Sequence, residues 1–228
     1  MTALADPELT TPPPEAPRRA SGLTAALLAV ISLAVLAMFG AGGFLLGHQA
    51  AARPDANSVD AGFAWDMSVH HLQAVTMAGY ARDHTTDGVI HELAYDIETS
   101  QFNQVGQMQG WLDSWGLPSQ SPNPQMAWMA GSGHDHNLAN GLMPGMATQQ
   151  EIDKLETMTG KAMDIYFMQL MLRHHQGGLP MAEWAAAHAK EGYVRNAAQK
   201  MATGQGAEIV LMEKLLRERG ASPLPPPS

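Results

Sequence analysis

Two stretches decide how the chain folds: DAGFAWDMSVHHLQAVTMA at residues 60–78 and DIYFMQLMLRHHQGGLPMA at residues 164–182. They are one segment written twice. Residues 60–116 lie on residues 164–220 without a gap, with 16 identities in 57 positions. The shared residues include Asp60/Asp164, Phe63/Phe167, Met67/Met171, His70/His174, His71/His175, Met77/Met181, His84/His188, Gln101/Gln205, Met108/Met212 and Gly116/Gly220. Random composition would give only a handful, so the chain carries an internal duplication.

Within each copy the apolar positions follow a helical period. Phe63, Met67, His70, Ala74, Met77, Ala81 and His84 trace one stripe by threes and fours, and the second copy repeats it from Phe167 to His188. A break follows at Thr85 to Gly88, and at Lys190 to Gly192, before a second periodic run. Those runs carry Ile90, Leu93, Ile97, Gln101, Met108 and Leu112, then Val194, Ala197, Met201, Gln205, Met212 and Leu216. Each ends at a glycine, Gly116 or Gly220, with proline within three residues, as helix C-termini do. Two αα-hairpins, residues 57–116 and 160–220, are expected to bury their stripes against each other as an all-α four-helix bundle with approximate two-fold symmetry.

Between the hairpins, residues 117–147 are rich in Pro, Gly, Ser, Asn and Met and lack a sustained period, which predicts a long crossover loop. Thr148 and Glu151 then form a capping-box pattern ahead of a short helix. The two ends, residues 1–22 and 221–228, are proline-rich and poor in core-forming residues, and are expected to be disordered. From Leu23 to Leu46 the chain is uncharged and apolar, broken only by Thr24 and Ser32, and is long enough to cross a bilayer as one helix. Arg18 and Arg19 precede it, which places the N-terminus in the cytoplasm and residues 57–220 outside. The expectation is a single-pass anchor in the cell membrane. A cleaved signal peptide ending near Ala50, Ala51 and Ala52 is the alternative.

A formal charge of −9, from 22 acidic and 13 basic residues, excludes the basic face a nucleic-acid partner requires. With no cysteine there are neither disulfides nor thiolate sites, while 16 methionines supply thioether sulfur. The repeated pattern Met-x2-His-His-x5-Met-Ala therefore holds the candidate ligands: Met67, His70, His71 and Met77, with Met171, His174, His175 and Met181. Met67 stands three and four residues before the two histidines, so all three reach one patch, while Met77 lies two turns beyond His70. Adjacent histidines point about 100° apart on a helix, so one of each pair is expected in the core and one at its flank. Imidazole with thioether favours copper, Cu(I) foremost with Cu(II) possible. Packing of a plain core is the alternative role for the same side chains.

The pattern Asp-x2-Phe-x3-Met-x2-His-His-x5-Met-Ala, occurring twice, resembles the bacterial family called domain of unknown function 305. Met143-Pro144-Gly145-Met146 ahead of the second copy is similar to a segment of that family. The resemblance implies a ferritin-like helical bundle and, from some relatives, periplasmic copper binding. The second copy departs from a smooth helix at Gly177, Gly178 and Pro180, which predicts a kink just after His174 and His175.

Further candidates lie in the crossover, where Met143 and Met146 are joined by His134 and His136 as possible ligands. His84 and His188 stand at helix C-termini, where a cationic capping role is expected, and His48 and His91 lie off the repeated stripes. Gln101 and Gln205 sit on apolar stripes as candidate hydrogen-bond partners of the histidines or of each other. No Glu-x2-His pair for a di-iron centre and no His-Glu-x2-His for a zinc hydrolase occurs, and nucleophilic catalysis has neither a cysteine nor a serine elbow. The expectation is an extracytoplasmic copper-binding protein serving tolerance, sequestration or delivery, and no enzyme. A metal-free structural or partner-docking bundle is the alternative, ahead of a di-iron-type enzyme.

Overall fold

The computed structural model describes residues 26–27, 29–39, 53–131 and 141–225. The chain forms two units, Met1–Ala52 and Arg53–Ser228. In the first, residues 29–39 are helical, and Leu27, Val30, Leu33, Leu36 and Phe39 are exposed. The spanning segment expected over Leu23–Leu46 lies in part outside the described residues, and among those described no helix is long and apolar enough to cross a membrane.

The second unit is helical throughout, with no strand among the described residues: α1 Val59–His84, α2 Gly88–Trp115, a 3-10 turn Ala127–Met129, α3 Gln149–Glu156, α4 Gly160–His188 and α5 Gly192–Glu218. The breaks read from sequence fall between α1 and α2 and between α4 and α5. Ser58 caps α1 through the Ala61 N–H, and Asp87 caps α2 through Val89. Gly116 and Gly220 end the second runs at φ +74° and +70°, the left-handed conformation that glycine enters at little cost. Thr148 and Glu151 form the expected capping box.

The hairpins pack through their first helices, α1 against α4, while α2 and α5 each lie mainly on their own hairpin partner. Where a closed bundle would join α2 to α5, an open cleft of ≈ 810 Å³ separates them instead, lined by Asp96, Asn103, Gln107, Asn196 and Lys200 among others. Most of these facing positions are polar, so closing them on one another would bury hydrogen-bonding groups, although Trp111, Tyr193, Ala197 and Met201 also line the cleft. One tie between the hairpins is Asp60, whose carboxylate accepts from the backbone N–H groups of Lys190 and Glu191 at 2.9 Å each and so holds the turn that leads into α5.

One finding differs from the sequence reading. Residues 117–147 are not wholly a loose loop: Met126, Trp128, Met129, Met143 and Met146 are buried in the core that Met67 and Met181 share. Asp66 holds this segment, accepting from the Met126 N–H at 2.6 Å and from Trp128 Nε1 at 2.8 Å. Burial raises the Asp66 carboxyl above its usual range, against the opposing pull of those two donors. α4 is one continuous helix from Gly160 to His188 with Pro180 inside it.

Candidate metal centre

His70, His71, His174 and His175 are all buried where α1 crosses α4. The sequence stripe placed one of each pair at the flank, but α1 and α4 are each covered on two sides, by the opposite first helix and by their own hairpin partner. His70 and His174 meet across the approximate two-fold, ring centroids 3.8 Å apart and planes at 38°. His71 and His175 turn the other way, toward the second helices. His71 Nε2–H donates to Gln104 Oε1 at 2.7 Å, and His175 Nε2–H donates to Glu208 Oε2 at 2.5 Å. Gln104 and Glu208 occupy the same position in the two copies, 33 residues beyond their histidines.

These contacts fix the tautomers. An oxygen acceptor at Nε2 requires the proton there, which in a neutral ring leaves Nδ1 with a lone pair. His70 Nε2–H likewise donates to the Pro144 carbonyl at 3.1 Å. In consequence His70 Nδ1, His71 Nδ1 and His175 Nδ1 are buried without a hydrogen-bond partner, as is His174 Nε2. Buried polar atoms are ordinarily satisfied, so four bare imidazole nitrogens in one layer mark a place suited to an electron-pair acceptor. Burial also lowers the basicity of the rings: His70 falls to about 4 and His71 to about 3, each chiefly through desolvation, and His174 falls well below 6.5 by burial and the neighbouring histidines. These three imidazoles are therefore neutral at pH 7, the form that binds metal.

The methionines divide between the two ends of this layer. Met67 and Met181 belong to one core cluster with Met143 and Met146, whereas Met77 and Met171 belong to the other with Met163, Met168 and Met212. Because α1 and α4 pair the early part of one copy with the late part of the other, the eight motif residues do not form one patch. They form a histidine layer with thioether sulfur on either side. Among the described residues, no three His, Asp or Glu side chains already stand where they could share a metal ion. A metal held here therefore needs methionine sulfur beside imidazole, or rotation of the rings. His134 and His136 lie outside the described residues.

The Met143–Met146 segment is a strap over the histidines, and it explains the glycines of the second copy. A Cβ at Gly177 would overlap the Pro144 carbonyl, and one at Gly145, where φ is +80°, would stand 2.5 Å from the Arg173 carbonyl. A Cβ at Gly178 would stand 2.8 Å from His70 Cε1 and 2.9 Å from Gln205 Oε1. The strap is tied further by Gln73, which donates to the Ala147 carbonyl at 2.9 Å and accepts from its N–H at 2.7 Å. Arg173 pairs with Glu151 through two bonds of 2.8 and 2.6 Å, fixing the helix that follows.

Residues 60–216 match the family described as domain of unknown function (DUF305). The chain belongs to DUF305. It is similar to the crystal structure of a DUF305 protein from Streptomyces coelicolor described as secreted, at 47% identity and TM-score 0.69, covering 75% of this chain and 99% of that one. A DUF305 fragment from Deinococcus radiodurans is similar at 29% identity and TM-score 0.60, covering 72% and 99%. The same fold is found in CopM in its Cu(I)-bound form, at 21% identity and TM-score 0.54, covering 70% and 96%. No curated protein matches the sequence.

In this DUF305 chain the histidines' hydrogen-bond partners on the second helices are Gln104 and Glu208, not the repeated Gln101 and Gln205, whose Oε1 atoms are buried and unpartnered. The signal was present in sequence as the offset alone, since the two residues differ in type. His84 and His188 each bond the carbonyl four residues back, at Tyr80 and Trp184, and stack on those rings at 4.0 and 3.6 Å. Both rest on helix ends away from the layer, and His91 is exposed.

Proposed function

We propose that this chain is an extracytoplasmic copper-binding protein that carries copper as cargo and catalyses no reaction. The observation that carries this reading is the layer of four buried imidazoles, three of them tied to oxygen through Nε2 and each with one bare nitrogen. His70, His71, His174 and His175 would hold the ion, with Met67, Met181, Met143 and Met146 available from one end and Met77 and Met171 from the other. Imidazole with thioether suits copper better than hard cations, with Cu(I) favoured by the sulfur. The CopM structures described as Cu(I)-bound and Cu(II)-bound share this fold, which supports the choice of metal. The two hairpins fit a ferritin-like bundle opened along one side.

A domain outside the cytoplasm is supported by the relative described as secreted. We infer that residues 23–46 tether it to the cell membrane, supported by the uncharged 24-residue run and the exposed apolar side chains of residues 29–39. N-terminal sequencing of the mature protein tests the tether, and a start near Arg53 would mean cleavage and release. For copper, the test is Cu(I) titration of residues 53–228 under reducing conditions, beside a variant with His70, His71, His174 and His175 changed to Ala and a His91→Ala control. The quadruple variant should lose copper and the control keep it. Equal binding by all three, with helicity intact, returns the histidines to the role of core packing.

A further inference from the structure

The two halves of the histidine layer are equal in sequence motif and unequal in the group behind each outer histidine. His71 donates to a neutral amide, Gln104 Oε1, at 2.7 Å; His175 donates to a carboxylate, Glu208 Oε2, at 2.5 Å. Three features of the two positions are matched: both rings are fully buried, both use Nε2, and both leave Nδ1 unpartnered. Gln104 and Glu208 also share surroundings, since both line the polar cleft between α2 and α5. The two outer histidines therefore differ in the charge of the hydrogen-bond acceptor behind the ring, an amide for one and a carboxylate for the other.

We propose that Glu208 is a positioning residue that makes the His175 half of the layer selective for Cu(II), while Gln104 leaves the His71 half better suited to Cu(I). This rests on the copper reading above. A carboxylate accepting the Nε2 proton pulls that proton outward, raises the electron density at Nδ1 and makes the ring a stronger donor. It also adds a full negative charge next to the ion. Both effects favour the more highly charged ion, because the extra unit of positive charge on Cu(II) interacts with the donor and with the carboxylate. A neutral amide fixes the same tautomer and orientation but supplies neither effect. The half lacking the carboxylate keeps the softer balance of neutral imidazole and thioether that suits Cu(I).

The experiment uses the full chain, parent against Glu208→Gln and Gln104→Glu, both near-isosteric, with helicity and melting of each checked first. Cu(I) and Cu(II) affinities are measured separately, by competition with chromophoric chelators of each ion, and the copper midpoint potential is measured on the loaded protein. Glu208→Gln should weaken Cu(II) binding about tenfold, in line with the usual effect of losing such a partner, and change Cu(I) binding less than about threefold. A tenfold change in the ratio of the two affinities raises the midpoint potential by about 59 mV. Gln104→Glu should move the ratio and the potential the other way. A general loosening of the fold would weaken both ions alike and leave the ratio unchanged, and that outcome overturns the proposal, as does an unchanged Cu(II) affinity in both variants. If the parent binds neither ion, the copper reading itself fails and this one with it, an outcome distinct from copper binding that ignores residue 208.

Discussion

Lowering the pH of the metal-free domain should unfold it through its histidine layer well before its carboxylates titrate. His70 and His71 have folded-state values of about 4 and about 3, and His174 lies well below 6.5, all through burial. The unfolded chain takes up protons at an ordinary histidine value near 6.5, so between that value and the folded one it binds more protons than the native state. Stability held in full above pH 6.5 is therefore lost as the pH falls, and the loss stops only when the folded rings charge. From pH 7.5 to pH 5 the native rings stay neutral, and each unfolded ring gains about 2 kcal/mol from protonation. His70 and His71 together give about 4 kcal/mol, and His174 adds in the same direction, against the roughly 5–15 kcal/mol that holds a domain together. The window is clean from the acidic side, because Asp87 and Glu151, held below their usual values by Arg219 and Arg173, lose their contributions as the pH falls through the ordinary values of 3.8 and 4.5. Asp66 is shifted upward, so its contribution runs with the opposite sign and cannot produce the loss. Urea unfolding of residues 53–228 in chelator-treated buffer, followed by circular dichroism at pH 7.5, 6.5, 5.5 and 5.0, measures it. His70→Gln should reduce the drop by about 2 kcal/mol. A parent whose stability changes by less than about 2 kcal/mol over this range would show that the rings are not held neutral in the native state, and the account of the layer would be wrong.

Other expectations follow from single contacts. Gly178→Ala sets a methyl group against His70 Cε1 and Gln205 Oε1, and should cost about 1–3 kcal/mol in denaturant melts and weaken copper binding together. Asp66→Ala frees the Met126 N–H and Trp128 Nε1, and should cost about 1–3 kcal/mol while raising amide exchange over residues 126–129; unchanged exchange there would contradict the tether. Asp60→Ala frees the Lys190 and Glu191 N–H groups in the turn before α5 and should cost about 1–3 kcal/mol, seen as a lower melting temperature with helicity otherwise retained.

Repetition made much of this protein legible from its sequence. Helix is written in the three-and-four spacing of residues such as Phe63, Met67 and Ala74, and helix ends in Gly116, Gly220 and the Thr148–Glu151 box, because these signals act over one or two turns. The twofold occurrence of Met-x2-His-His-x5-Met-Ala singled out the residues that now line the α1 and α4 crossing. What the sequence could not specify is set by how the hairpins cross. One stripe per helix predicts a single buried face, yet α1 and α4 lie between two neighbours, so both histidines of each pair are buried. The antiparallel crossing joins Met67 to Met181 at one end and Met77 to Met171 at the other, which spacing along one helix cannot foresee. Gly177 and Gly178 read locally as a weak point in a helix. In the tertiary structure they are the clearance for the Pro144 strap and the His70 ring, a demand that arises from residues more than thirty positions away. Gln104 and Glu208 carry no local signal at all, and only the packing of each second helix on its first reveals them as the groups that set the two outer histidines.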